Sequence, residues 1–176
     1  MNIYLIRHTS VDVPAGYAYG QTDVPLRSSF EEEALRVKES LSGLTFDKVW
    51  CSPLTRCVRL ATYCGYPEAK REDRIKELNF GEWEMKSWEE LSADPRSEAW
   101  FADWINTKTP EGESLLDQYN RVSSFLDEIR KADMQNVCLF AHGGVLTCAR
   151  VYAGLYDIKD AFKNVPSYGE VIKLSF

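Results

Sequence analysis

A chain of 176 residues, 44% of them apolar and 27% charged, has the size and balance of one globular domain with its own core. Its formal charge of −6, from 21 basic and 27 acidic residues, argues against general nucleic-acid binding, which wants a basic face. No apolar run approaches the roughly 18 residues that cross a bilayer, and Arg7 and His8 break up any N-terminal signal segment. The five cysteines form no C-x-x-C pair, so reduced thiols in a cytoplasmic setting are expected. A zinc site, which needs about four ligands at suitable spacing, is not.

The first strand is expected over residues 2–6, a short apolar run that ends in Arg7-His8. Residues 9–27 follow no helical or strand period and form a long loop with Tyr17 and Tyr19; loops of this length in compact domains are commonly functional. A helix is predicted over 28–42. Ser28 or Ser29 suits its N-cap, three glutamates its first turn, and Leu35, Val37 and Leu41 its buried side. Lys48-Val49-Trp50-Cys51 reads as a second strand. It runs into a helix with Ser52 as N-cap, Pro53 at its first position and Arg56 in its first turn. A helix N-terminus carrying an arginine suits phosphate.

Residues 71–86 are charged and rich in turns. In 87–109, Trp100 and Trp104 stand four apart, which places them on one helical face; this segment reads as a small insertion over the sheet edge with the tryptophans as its core. Ser114 to Asp117 resembles a capping box opening a helix to about Lys131. Val137 to Ala141 is a further buried strand leading to His142, Gly143-Gly144 opens a helix over roughly 145–154, and 170–176 is a final strand. Strands alternating with helices give an α/β fold, a three-layer αβα sandwich around a mainly parallel sheet. Ligands in such sheets bind at the carboxyl ends of the strands, where both histidines of the chain fall.

Arg7, His8, Arg56 and His142 are therefore expected at one edge. Arginine does not ligate metal, but its paired donors suit phosphate oxygens. A neutral imidazole can attack phosphorus, and neighbouring arginines disfavour the imidazolium. A leaving alkoxide needs a proton, for which Glu77 and Glu82 are candidates. A cysteine phosphatase centred on Cys51 fits poorly: four residues separate it from Arg56, one short of the usual loop, and Pro53 removes a backbone donor.

The motifs LIRHT, CSPLTRCVRLA, KELNFGEWE, PEGESL and FAHGGV, spread over nearly the whole chain, resemble the histidine phosphatase superfamily, with its phosphoglycerate-mutase-like fold. Thr9 stands where that family usually has Gly. The resemblance implies His8 as the phosphorylated nucleophile, Glu77 as acid and then base, and Arg7, Arg56 and His142 around the phosphate. It implies no metal and no cofactor. One domain over 1–176 is expected, with 80–113 as a cap insertion. RHT, YGQTDVPL and the compact length look most like the α-ribazole phosphatase branch, with a small-molecule phosphate ester as partner. Gln21 and Thr22 then fall near the phosphate, with Gly143 and Glu113 as further pocket residues. A broad sugar or glycerate phosphatase, a phosphoglycerate mutase and a phosphate-binding protein on the same fold are the alternatives.

Overall fold

The computed structural model describes all residues from 1 to 176. Five strands form one sheet: β1 (Asn2–Arg7), β2 (Lys48–Cys51), β3 (Lys70–Arg71), β4 (Asn136–Ala141) and β5 (Val171–Ser175), in the order β3-β2-β4-β1-β5. The first four run parallel, and β5 lies antiparallel against β1. β4 sits centrally with Val137 to Ala141 fully buried, as a continuous apolar run in a two-sided sheet requires.

The chain forms six helices: α1 (Phe30–Ser40), α2 (Thr55–Tyr63), α3 (Trp88–Ser92), α4 (Ser97–Ala102), α5 (Leu115–Arg130) and α6 (Gly143–Tyr152). α1 and α2 pack on one face with Cys138 and Phe140, and α5 and α6 on the other with Leu139 and Ile3, so the sheet is the middle of three layers. Each fully buried Leu, Ile or Phe contributes roughly 1.5–3 kcal/mol. The capping box is present: Ser114 Oγ accepts from Asp117 N, and Asp117 reaches back to Ser114 N. None of these helices is long and apolar enough to cross a membrane.

Several local expectations change. Leu35 is 46% exposed, and the buried side of α1 is Phe30, Ala34 and Val37, with Leu41 just beyond it. α2 starts at Thr55, not at Pro53, because Leu54 still has extended backbone; the Ser52 hydroxyl lies 2.7 Å from His142 Nε2 and accepts from Leu54 N at 3.4 Å. α6 starts at Gly143, directly after His142. Trp104 lies beyond the end of α4 and does not share a helical face with Trp100. Trp100 instead stacks on Trp88 (5.6 Å, 19°) and meets Trp83 edge-on, while Trp104 packs on Phe162 at 4.4 Å. The two-residue β3 and the 3₁₀ turn at Ile158–Asn164 carry no periodic signal strong enough to read.

Candidate active site

Sheet register assembles the site. Arg7 is opposite Ala141, and Cys51 is opposite Phe140, so the residues just past them meet at the carboxyl edge. His8 N donates to Ala141 O (3.1 Å), and Ser52 N donates to Phe140 O (2.9 Å). β5 returns to the same edge: Gly169 N donates to His8 O (3.1 Å). The His8 and His142 rings end 5.2 Å apart between centroids, both buried.

His8 Nδ1 lies 2.7 Å from the Thr9 carbonyl oxygen. A carbonyl only accepts, so Nδ1 carries the hydrogen and Nε2 keeps the lone pair. Burial first, then the charge of Arg56 and of Arg7, holds His8 well below its ordinary value, against the opposing bond to Thr9. Burial also holds His142 low, helped by Arg56 and by His8 itself. Its Nε2 meets the Ser52 hydroxyl at 2.7 Å and Cys57 Sγ at 3.4 Å.

Arg56 is fully buried. Its Nη1 donates to Thr22 O at 2.9 Å and its Nη2 to Gly20 O, while Nε has no partner. Arg7 Nη1 donates to Pro166 O, its guanidinium lies 3.9 Å above the Tyr168 ring, and its Nε is also buried without a partner. Both guanidiniums are thus held by carbonyl oxygens, not carboxylates. Each keeps a buried donor, which is costly unless an acceptor arrives.

Glu77 is held by three donors. Leu78 N (2.9 Å) and Gln118 Nε2 (2.8 Å) reach Oε1, and Gly144 N (3.1 Å) reaches Oε2. A Cβ on Gly144 would lie 2.3 Å from Glu77 Oε1, so any side chain here would push the carboxylate from its place. Glu82, the other candidate acid, is directed to the surface and pairs with Arg96 at 2.8 Å. Arg7, Glu77, Gly143 and Gly144 line a cavity of 160 Å³ whose other walls include Leu78, Phe80, Leu115, Phe162 and Val165.

Gln21 and Thr22 sit on the loop that holds Arg56, but their side chains are engaged elsewhere: Gln21 Nε2 with Glu77 O (3.1 Å) and Thr22 Oγ1 with Glu84 Oε2 (2.7 Å). Glu113 does not line the cavity; it pairs with Arg121 at 2.8 Å and accepts from Asn79 N at 2.9 Å. Cys51 is fully buried, and burial pushes its thiol up to about 12, which leaves it protonated at neutral pH.

Sequence reasoning did not reach four supports. Glu84 accepts from the backbone N–H of Gly20, Gln21, Thr22 and Phe80. Burial opposes its charge, yet these bonds and the Thr22 hydroxyl keep its carboxyl below the usual range. Arg121 donates to the carbonyls of Arg74, Lys76 and Glu77, bracing the stretch of chain that carries Glu77. Gln118, which donates to Glu77, is marked in the sequence by interrupting the apolar stripe of α5. Tyr168 covers His8 (5.5 Å between rings) and bonds Tyr19 through their hydroxyls at 2.7 Å; nothing local in the sequence marks it.

The chain is similar to several known proteins. The adenosylcobalamin/alpha-ribazole phosphatase of Escherichia coli is 30% identical over 155 residues, covering 84% of this chain and 76% of that protein. Phosphoserine phosphatase 1 of Hydrogenobacter thermophilus is 31% identical over 153 residues, covering 81% and 71%. Among solved structures, the alpha-ribazole phosphatase from Shigella flexneri superposes with a TM-score of 0.90 at 24% identity over 99% of this chain and 90% of its own, a likeness of fold. A phosphoglycerate mutase from Thermus thermophilus superposes with a TM-score of 0.79 at 28% identity over 100% and 94%. The family model described as histidine phosphatase superfamily, branch 1, matches residues 3–176, and the chain belongs to that superfamily.

Proposed function

We propose that this chain is a phosphoric monoester hydrolase that acts through a phosphohistidine on His8, with α-ribazole 5′-phosphate as its preferred substrate. The observation that carries the reading is the pair of buried, unpartnered guanidinium donors, Arg7 Nε and Arg56 Nε, beside two histidines held neutral. A phosphoryl group accepts from both arginines and meets the lone pair of His8 Nε2. The N–P bond forms as the bond from phosphorus to the ester oxygen breaks, and Glu77 supplies the proton to the leaving oxygen. Water then attacks phosphorus, Glu77 takes its proton, the N–P bond breaks, and phosphate leaves with His8 restored. The arginines and His142 stabilise charge on the transferring group, which is the larger part of such catalysis.

The cavity supports the substrate choice. Arg7 is its one basic lining residue, and the proposed mechanism engages it with phosphate. Phosphoserine and phosphoglycerate each bring a carboxylate that would need a further cation. Leu78, Phe80, Leu115 and Phe162 instead suit a flat apolar group such as the benzimidazole base of ribazole. The test is phosphate release in EDTA across α-ribazole 5′-phosphate, phosphoserine, phosphoglycerates, sugar phosphates and p-nitrophenyl phosphate. Selective turnover of the ribazole ester supports the full reading; broad, weak turnover keeps the phosphatase and removes the substrate. Transfer between positions of phosphoglycerate marks a mutase, and binding without turnover a phosphate-binding protein. Like the cytoplasmic setting expected from the cysteines, the cap role of 80–113 belongs to this reading; Trp104 against Phe162 ties that segment to the cavity wall.

A further inference from the structure

Five of the six residues that α5 buries are apolar: Leu115, Val122, Phe125, Leu126 and Ile129. The sixth is Gln118, 1% exposed, at a place where the helical period calls for another apolar side chain. Its amide is only half used. Nε2 donates to Glu77 Oε1 at 2.8 Å, while Oε1 is buried without a partner. A buried amide left half satisfied is worse for the fold than an apolar side chain of the same shape, so packing does not account for it. Departures from pattern of this kind concentrate at functional sites.

What Gln118 touches is the proposed acid. A carboxyl oxygen has two lone-pair positions. Those of Glu77 Oε1 are both occupied, by Leu78 N and by Gln118 Nε2; Oε2 has Gly144 N alone and keeps one position open. We infer that Gln118 is a positioning residue that makes Oε2 the proton-carrying oxygen of Glu77, the atom that gives a proton to the leaving group and later takes one from water. The inference rests on the phosphatase reading and on Glu77 as its acid. Without Gln118, Oε1 has an open position too, the proton divides between the two oxygens, and the carboxyl loses one of its three anchors. Gly144 is part of the device, since a Cβ there would fall 2.8 Å from Gln118 Oε1 as well as on Glu77.

The experiment compares wild type with Q118M and Q118L, neither of which can donate. It measures the thermal midpoint and kcat/KM over a series of phosphate esters with leaving groups from nitrophenol to simple alcohols. General acid assistance is worth ~10²–10⁴-fold and matters most for alkoxides. Losing its alignment is expected to lower kcat/KM for alkyl phosphates by about 10-fold, with p-nitrophenyl phosphate changed less than about 2-fold. The midpoint is expected to hold or rise. An equal loss on every ester, or no loss, overturns the inference and leaves the phosphatase standing. Failure of both variants to fold also overturns it, by making Gln118 a packing residue. An inactive wild type overturns the phosphatase reading and the inference together.

Discussion

The imidazole rings of His8 and His142 lie 5.2 Å apart at 64°, both shut off from solvent, at the ends of two strands that pair in parallel. Neither ring can take a proton cheaply there, because burial and the arginines oppose it. The unfolded chain titrates its histidines near ~6.5, while the folded values lie below that. Between the two, the unfolded state binds more protons, so this contribution to stability is full above about pH 6.5 and is lost as pH falls through the folded values. The unfolding free energy is expected to drop between pH 7 and 5, by up to ~1.4 kcal/mol per pH unit for each histidine, and the urea midpoint with it. H8N and H142N should each flatten the profile. A midpoint that is level or rises on acidification contradicts the assignment.

The same neutrality extends activity into acid. Because His8 stays unprotonated below its ordinary value, the acid limb of kcat/KM is expected below about pH 6.5, the usual range for histidine. Measured profiles whose acid limb sits at or above that range would count against His8 as the nucleophile.

Arg56 is a buried cation whose hydrogen-bond partners are carbonyl oxygens. An incoming anion therefore relieves a local charge. Orthophosphate or vanadate at ~100 times its dissociation constant should stabilise the protein by about 2.7 kcal/mol. In R56M that rise is expected to vanish, while turnover falls at least about 100-fold, on the scale of one lost transition-state donor. Scanning calorimetry with and without the anion reads the first effect directly. A full anion response in R56M would show that the phosphate binds elsewhere.

Glu84 gathers four backbone donors from Gly20, Gln21, Thr22 and Phe80, and so fixes the loop whose carbonyls hold Arg56. E84A leaves those donors without an acceptor. With about 1–3 kcal/mol for each group that stays buried, a loss of at least ~2 kcal/mol is expected. Catalysis should fall with it, since Gly20 and Thr22 no longer present their oxygens to Arg56. Chemical denaturation alongside kinetics checks both; unchanged stability would make Glu84 a surface residue.

Much of this was legible from the chain alone, for physical reasons. Apolar runs before His8 and His142 had to be two-sided strands, and parallel strands place their carboxyl ends together. Arg56 followed from a strand that turns directly into a helix. Glu77 was different: Glu77 and Glu82 have similar neighbours, and only the family motif, and then the surface pairing of Glu82 with Arg96, separates them. Glu84, Arg121 and Tyr168 act across long sequence distances, through a loop, a helix and an antiparallel return strand. Neither composition nor periodicity carries that information. A serine before a proline has the pattern of a helix cap, but the register of β2 on β4 directs the Ser52 hydroxyl to His142.

Glu77 gives a prediction of its own. E77Q keeps the size of the side chain and removes the transferable proton. The loss is expected to be about 10²–10⁴-fold for alkyl phosphates and much smaller for p-nitrophenyl phosphate. Kinetics over the ester series reads this as a steeper dependence on the leaving group; a uniform loss would remove Glu77 from the acid role.

The central claim is a covalent phosphohistidine on His8. Its most direct test is a rapid alkaline quench during turnover of a radiolabelled ester, followed by peptide mapping. Label on the peptide holding His8, stable in alkali, released by acid and absent from H8N, is the predicted result. Label on another residue, or an H8N protein that is folded, unlabelled and still active, would contradict the account.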